Sequence, residues 1–140
     1  MNFEMISIDI ENLNHAQIYT RLFHPQNQLL LGIGETYGGD GDVSLDKSQI
    51  DILISILQKA VSLAENNKEN WVKLGHILSN NGDGEQIHLF VYLHKKYVVI
   101  GLSETSYLSQ KTHCGIKIFL PKNKAVKYID ILEDVKSNYA

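Results

Sequence analysis

Cysteine, proline and arginine are nearly missing from this chain of 140 residues, which has one cysteine, two prolines and, in Arg21, a single arginine. With Cys114 alone no internal disulfide can form, so burial must hold the fold; that usage fits a reducing compartment, and the cytoplasm is the expected location. No run approaches the ~20 consecutive apolar residues of a membrane helix. The opening MNFEMISIDIE has neither a basic n-region nor an apolar h-region, so no leader and a soluble chain are expected. Also missing are a phosphate loop and a calcium loop. GIGETYGG, from Gly32, has neither the GxxxxGK[ST] pattern nor the GxGxxG spacing, and the acids of GGDGD (38–42) are not followed by the glycine and twelfth-position Glu of an EF-hand. No nucleophile–base pair, metal-ligand spacing or cofactor loop stands out. The expectation is a protein that is not an enzyme and holds neither cofactor nor metal.

What is present is an ordinary globular composition, 44% hydrophobic and 21% charged, with an uneven distribution of charge. Residues 1–70 carry ten acids against four bases, a net of −6, and residues 71–140 carry six acids against nine lysines, a net of +3. Such a split implies faces with different partners.

The chain also writes one pattern twice. LLLGIGETYGGDGDVSL, from Leu29, and YVVIGLSETSYLSQKTHCGIKIFL, from Tyr97, both run from an apolar strand through Gly, Glu-Thr and a Tyr into a second strand. Around the first, FEMISIDI (3–10), AQIYTRLFH (16–24), QLLLGIGE (28–35) and DVSL (42–45) read as strands. A helix follows, opened by the capping box of Asp46 and Gln49 and striped with Ile50, Leu53, Ile54, Leu57, Val61 and Ala64. Ile52, Ile56 and Leu63 widen that apolar arc, as expected of a helix between two surfaces. Around the second, WVKLGHIL (71–78), QIHLFVYLH (86–94), KYVVIGLS (96–103) and CGIKIFL (114–120) are strands. Pro121 opens a helix whose inner face carries Val126, Ile129, Leu132 and Val135.

The halves align as Gly32 with Gly101, Glu35 with Glu104, Thr36 with Thr105 and Leu45 with Leu120. The expected fold is therefore α+β, a single domain of two ββββα repeats (1–70 and 71–140) with crossed antiparallel sheets around two helices. Each four-stranded sheet has an apolar face that one helix covers only in part, and pairing two units buries both.

This order of elements resembles the Whirly and PUR families of single-strand nucleic-acid binders, in which two such repeats cross. That resemblance implies nucleic-acid binding by lysines and sheet aromatics, here Phe90, Tyr92, Lys95, Lys96, Tyr97, Lys111 and Lys117. A small acidic chain without motifs also resembles the immunity proteins that bacteria use against nuclease toxins. That second resemblance implies protein–protein contact with a basic toxin through carboxylates, and Glu35, Tyr37, Asp40, Asp42, Asp46 and Asp51, within 17 residues, are the candidate surface. The immunity reading is the primary expectation and the nucleic-acid reading the alternative, with a homodimer open to either.

Strand parity gives the exposed faces. Ile87, Leu89, Val91 and Leu93 share one face, which leaves His88, Phe90, Tyr92 and His94 on the other; Ile18 and Leu22 leave Tyr19, Arg21 and Phe23 opposite. Aromatics interleaved with Arg and His serve base stacking and protein anchoring equally well. The six histidines suggest no shared ion. His88 and His94 stand about 20 Å apart at ~3.3 Å per residue, and adjacent His113 and Cys114 point to opposite faces.

Overall fold

Two apolar faces, each made by strand alternation, set the architecture. The computed structural model describes residues 3–10, 14–23, 28–36, 39–80, 86–103 and 115–138. The first repeat is β1 (Phe3–Ile10), β2 (Asn14–Phe23), β3 (Gln28–Glu35), β4 (Gly39–Leu45) and α1 (Lys47–Ala64). The second is β5 (Val72–Asn80), β6 (Gln86–His94), β7 (Tyr97–Ser103), β8 (Ile116–Leu120) and α2 (Lys122–Ser137). Each repeat forms a four-stranded antiparallel sheet in sequence order, followed by its helix. The fold is α+β with ββββα repeats.

The inner faces merge into one core. Ile18, Leu22, Leu31, Ile33 and Leu45 of the first sheet and Leu89, Val91, Ile100, Ile118 and Leu120 of the second belong to a single buried cluster with both helices. Each such side chain, removed from water, contributes roughly 1.5–3 kcal/mol. The helices are shared rather than private. α1, from the first repeat, lies against β5, β6 and β7 of the second and against α2. β8 touches β1, β2 and β3, as a strand lying across three others must. At the other edge, Ser79 Oγ of β5 donates to the Ser44 carbonyl of β4.

Local chemistry explains the boundaries. Asp46 caps α1 by accepting from Gln49 N at 2.9 Å, and its own backbone N–H donates to Gln49 Oε1 at 2.9 Å, the capping box read in the sequence. α1 approaches β5 closely because Gly75 has no side chain: a Cβ there would come within 2.4 Å of Ile56 Cδ1. Pro121 precedes the first residue of α2, and its carbonyl accepts from Lys124 N and Ala125 N, both at 2.9 Å.

Four details depart from the sequence expectations. The fourth strand, expected over 42–45, starts earlier, at Gly39, because pairing with β3 outweighs glycine's weak strand preference. On α2, Ala125 and Tyr128 face inward and Val126 is exposed. On α1, Ala60 is buried as well, beside Val61, which packs partly buried against the core as expected. The wide arc of α1 is only partly used, since Ile56 packs but Ile52 and Leu63 stay exposed.

Candidate docking face and basic hollow

The outward side of the first sheet is built in rows by its register. Phe3, Arg21, Leu30 and Ser44 form one row; Met5, Tyr19, Gly32 and Asp42 the next; Ser7, Gln17, Gly34 and Asp40 the third. One corner is aromatic. Phe3 and Tyr19 stack with centroids 6.0 Å apart, and the Arg21 guanidinium lies 5.3 Å from the Phe3 ring centre and 6.0 Å from that of Phe23. Phe3 is 49% and Met5 50% exposed. Tyr19 lies flat over Gly32, where a Cβ would come within 2.0 Å of its ring, so the glycine makes room for the aromatic.

The other side of this face is acidic. Asp40 and Asp42 project outward from edge strand β4, both exposed. Burial, then the charges of Asp42 and Asp40, push the Tyr19 hydroxyl above its ordinary pKa, with Arg21 opposing. Past Asp40 the strand ends enclose an open hollow of about 580 Å³, with Asp9, His15, Gln17, Gly34, Glu35 and Asp40 in its wall. His15 Nδ1 meets Asp9 Oδ1 there at 2.6 Å.

The six residues expected as one acidic surface do not form one. Asp40 and Asp42 alone share the outer face. Glu35 has the inward parity of Leu31 and Ile33, and its Oε1 accepts from the Lys117 backbone N–H at 3.1 Å, which ties the two sheets together. Asp46 is committed to its cap, where the Ser48 hydroxyl and Gln49 N–H hold its carboxyl below the usual range. Asp51 accepts from Lys136 Nζ at 2.8 Å across the helix pair. Tyr37 lies outside the described residues. Proximity in sequence failed as a guide because a strand's parity and a helix's first turn send neighbouring carboxylates in different directions.

The alternative set divides as well. Phe90 and Tyr92 are on the outer face of the second sheet as parity requires, but they are 2% and 1% exposed. With Val99 and Phe119 they form a second cluster, packed by Trp71, Tyr97 and Ile10. Trp71 meets Tyr92 edge-on at 6.1 Å and Phe119 at 5.8 Å. Rings sealed in this way cannot stack on bases, which corrects the reading of Phe90 and Tyr92 as an exposed platform. Lys117 stands on β8 and donates from Nζ to the Gly115 carbonyl at 3.1 Å, away from the other lysines of the set. Lys111 lies outside the described residues.

Lys95, Lys96 and Tyr97, by contrast, are brought together at the β6–β7 turn. They line a hollow of about 410 Å³ with Asn67 and Lys68 from the segment after α1. Asn67 Nδ2 donates to the carbonyls of Glu69 and Lys95, both at 2.8 Å, and Lys95 N donates to the Glu69 carbonyl at 2.8 Å. Lys96 and Tyr97 also border an adjoining hollow of about 370 Å³ with Ala64, Glu65, Pro121 and Lys122. There the Lys122 ammonium, 2.8 Å from Glu65 Oε1, holds that carboxyl below its ordinary range, aided by the charge of Lys96. Lys68 was missed in the sequence because it sits in the acidic half. The cue available was its place just beyond a helix end, where the chain must turn back toward the second sheet.

Two histidines without sequence-local partners meet. His76 Nε2 and His88 Nδ1 are 2.7 Å apart, one donating and the other accepting, with His76 stacked on Phe90 at 5.0 Å. Burial first, then His88 and Lys73, lowers the pKa of His76. Among the described residues no group of three or more His, Cys, Asp or Glu is placed to hold a metal ion. No described helix is long and apolar enough to cross a membrane. No model of a known protein family matches the chain, and no curated protein matches it significantly.

Proposed function

We propose that this chain is a non-enzymatic binding protein that docks on a basic protein through the outer face of its first sheet, as an immunity protein docks on and neutralises a nuclease-type toxin. The observation that carries this reading is the pairing, on one sheet face, of an exposed apolar corner with an outward acidic row. Phe3 and Met5 offer anchors of the kind that dominate interface energetics, and Tyr19 and Arg21 are already fixed by stacking, so little side-chain freedom is lost on contact. Asp40 and Asp42 make no ion pair among the described residues, so their charge is available to a cationic surface. The hollow beyond them, walled by Asp9, Glu35 and Asp40, suits the ammonium or guanidinium of an inserted Lys or Arg.

The test is co-expression with the product of the adjacent reading frame, where an immunity protein's toxin is encoded, followed by binding kinetics at several salt concentrations. A complex is expected whose association slows with salt. Asp40→Lys with Asp42→Lys should reduce the association rate about 10- to 100-fold at low salt. Phe3→Ser with Met5→Ser should mainly speed dissociation. A complex indifferent to both double substitutions defeats the reading. So does tight binding of labelled single-stranded oligonucleotides with log K falling linearly against log salt.

A further inference from the structure

The basic hollow shares no residue with the docking face, and the chain maintains it against local preference. Lys95 occupies the left-handed region at φ 52, which glycine or asparagine enters far more readily than lysine. The three hydrogen bonds from Asn67 and to Glu69 hold it there. Trp71, two residues beyond Glu69, is left-handed too, at φ 57. Backbone strain of this kind persists only where the surroundings over-determine it, and ligand clamps are where it gathers.

The strained turn gathers like charge. Lys68, Lys95 and Lys96 are all exposed, line one concavity and make no ion pair among the described residues. Beside them Tyr97 forms a wall common to both hollows, its ring fixed edge-on against Phe119 at 6.4 Å and 86°. Pro121 gives the second hollow another apolar surface. Its Glu65 carboxylate, neutralised by Lys122, is an acceptor aimed at hydrogen-bond donors.

We infer that this double hollow binds a free nucleotide, with the phosphates against Lys68, Lys95 and Lys96 and the base along Tyr97 and Pro121, where Glu65 accepts from an amino group of the base. The two compartments have the size and the polarity for a phosphate chain joined to a planar ring, at volumes typical of small-ligand pockets, roughly 300–1,000 Å³. A nucleic-acid strand needs a groove for about four or more nucleotides. Two hollows meeting at Lys96 and Tyr97 do not make one.

The experiment is a titration of the full chain with ATP, following the backbone amide resonances of Lys68, Lys95, Lys96 and Tyr97. Adenosine, pyrophosphate and an oligo(dA) without terminal phosphate serve as the comparison ligands. Saturable shifts confined to these residues and their hollow neighbours are expected. Lys95→Glu with Lys96→Glu should weaken ATP at least about 100-fold through the lost and reversed charges. Tyr97→Leu should weaken it about 5- to 50-fold through the lost stacking. Lys47→Glu, at the far end of α1, should leave it unchanged. Both turn lysines are exposed, so the charge-reversed protein should lose little of its unfolding midpoint, and that midpoint, measured beside the titration, separates loss of binding from loss of fold. The inference is overturned if ATP moves none of these resonances at millimolar concentration, or if pyrophosphate or adenosine alone binds as well as ATP. It is equally overturned if the oligo(dA) outcompetes ATP for them. Asp40→Lys with Asp42→Lys should not alter ATP binding, so this result and the docking test succeed or fail separately.

Discussion

The two sheets are built from one repeated unit and use their outer faces in opposite ways. In the first, glycines sit opposite Tyr19 and Gln17 on the outer face, two large side chains at its corner lie half in water, and carboxylates line one edge. In the second, the corresponding face is closed by Phe90, Tyr92, Val99 and Phe119 into a small core of its own. The difference teaches that duplication fixes the shared inner core, whereas each outer face is free to become either a second layer of packing or a surface for partners. The first sheet kept a surface.

The strongest way to break this comparison is to cut one ring from each face. Phe90→Ala should cost about 3–5 kcal/mol in urea unfolding, because a nearly sealed aromatic leaves a cavity among His76, Tyr92 and Val99 that water fills poorly. Phe3→Ala should cost under about 1 kcal/mol, since half of its surface is already in solvent. Equal losses at the two positions would mean that the outer face of the first sheet is packed as tightly as that of the second.

A finer contrast lies in the repeated glycine. Gly32 and Gly101 are the fifth residues of β3 and β7, and each faces an aromatic of the preceding strand, Tyr19 in one repeat and Phe90 in the other. Only the first is crowded. A Cβ at Gly32 runs into the Tyr19 ring at 2.0 Å, whereas at Gly101 the nearest atom, the Ile116 carbonyl oxygen, is 3.5 Å away. Gly32→Ala should therefore displace Tyr19 from Phe3 and cost about 1–2 kcal/mol. Gly101→Ala should be neutral or stabilising by up to ~1 kcal/mol through the stiffer unfolded chain. Thermal unfolding of both variants, with the tyrosine fluorescence of the first, checks the pair.

The same particulars show what could be read from residue order. Period-two alternation in QIHLFVYLH assigned every inward and outward residue of β6, and the Asp46–Gln49 box placed the start of α1, because both signals are local. Gly32 and Gly101 were recognised as equivalent, and their strands agree. Whether an outward face stays outside was not local. Tyr92 is sealed because Trp71, just ahead of β5, meets its ring on the same face, and the sequence places those residues 21 apart without saying that they touch. The acidic cluster misled for the converse reason: Glu35, Asp46 and Asp51 are neighbours in the chain but serve an inter-sheet bond, a helix cap and a helix–helix ion pair. The lysine hollow needed Lys68 to cross from one half to the other, a contact set by the Asn67 and Glu69 bonds and carried by no periodic pattern.

The smallest effect sharpens the contrast in a different variable, pH. His76 is held below its ordinary pKa by burial, by His88 and by Lys73, on the closed face of the second sheet. His94, beneath Trp71 at 4.7 Å, is lowered too, by burial first and then by Lys95. A histidine whose folded pKa lies below its unfolded value is neutral in both states above about pH 6.5, so protonation costs no stability there. As pH falls through that value the unfolded chain takes up the proton first, and stability declines until the folded pKa is passed. The wild-type unfolding midpoint in urea should accordingly drop between neutral pH and about pH 5. His76→Phe keeps a ring stacked on Phe90 and removes the titrating group, so its midpoint should fall less steeply over the same interval. If the His76→Phe midpoint falls as steeply with acid as that of the wild type, the closed face is not where the fold resists charge.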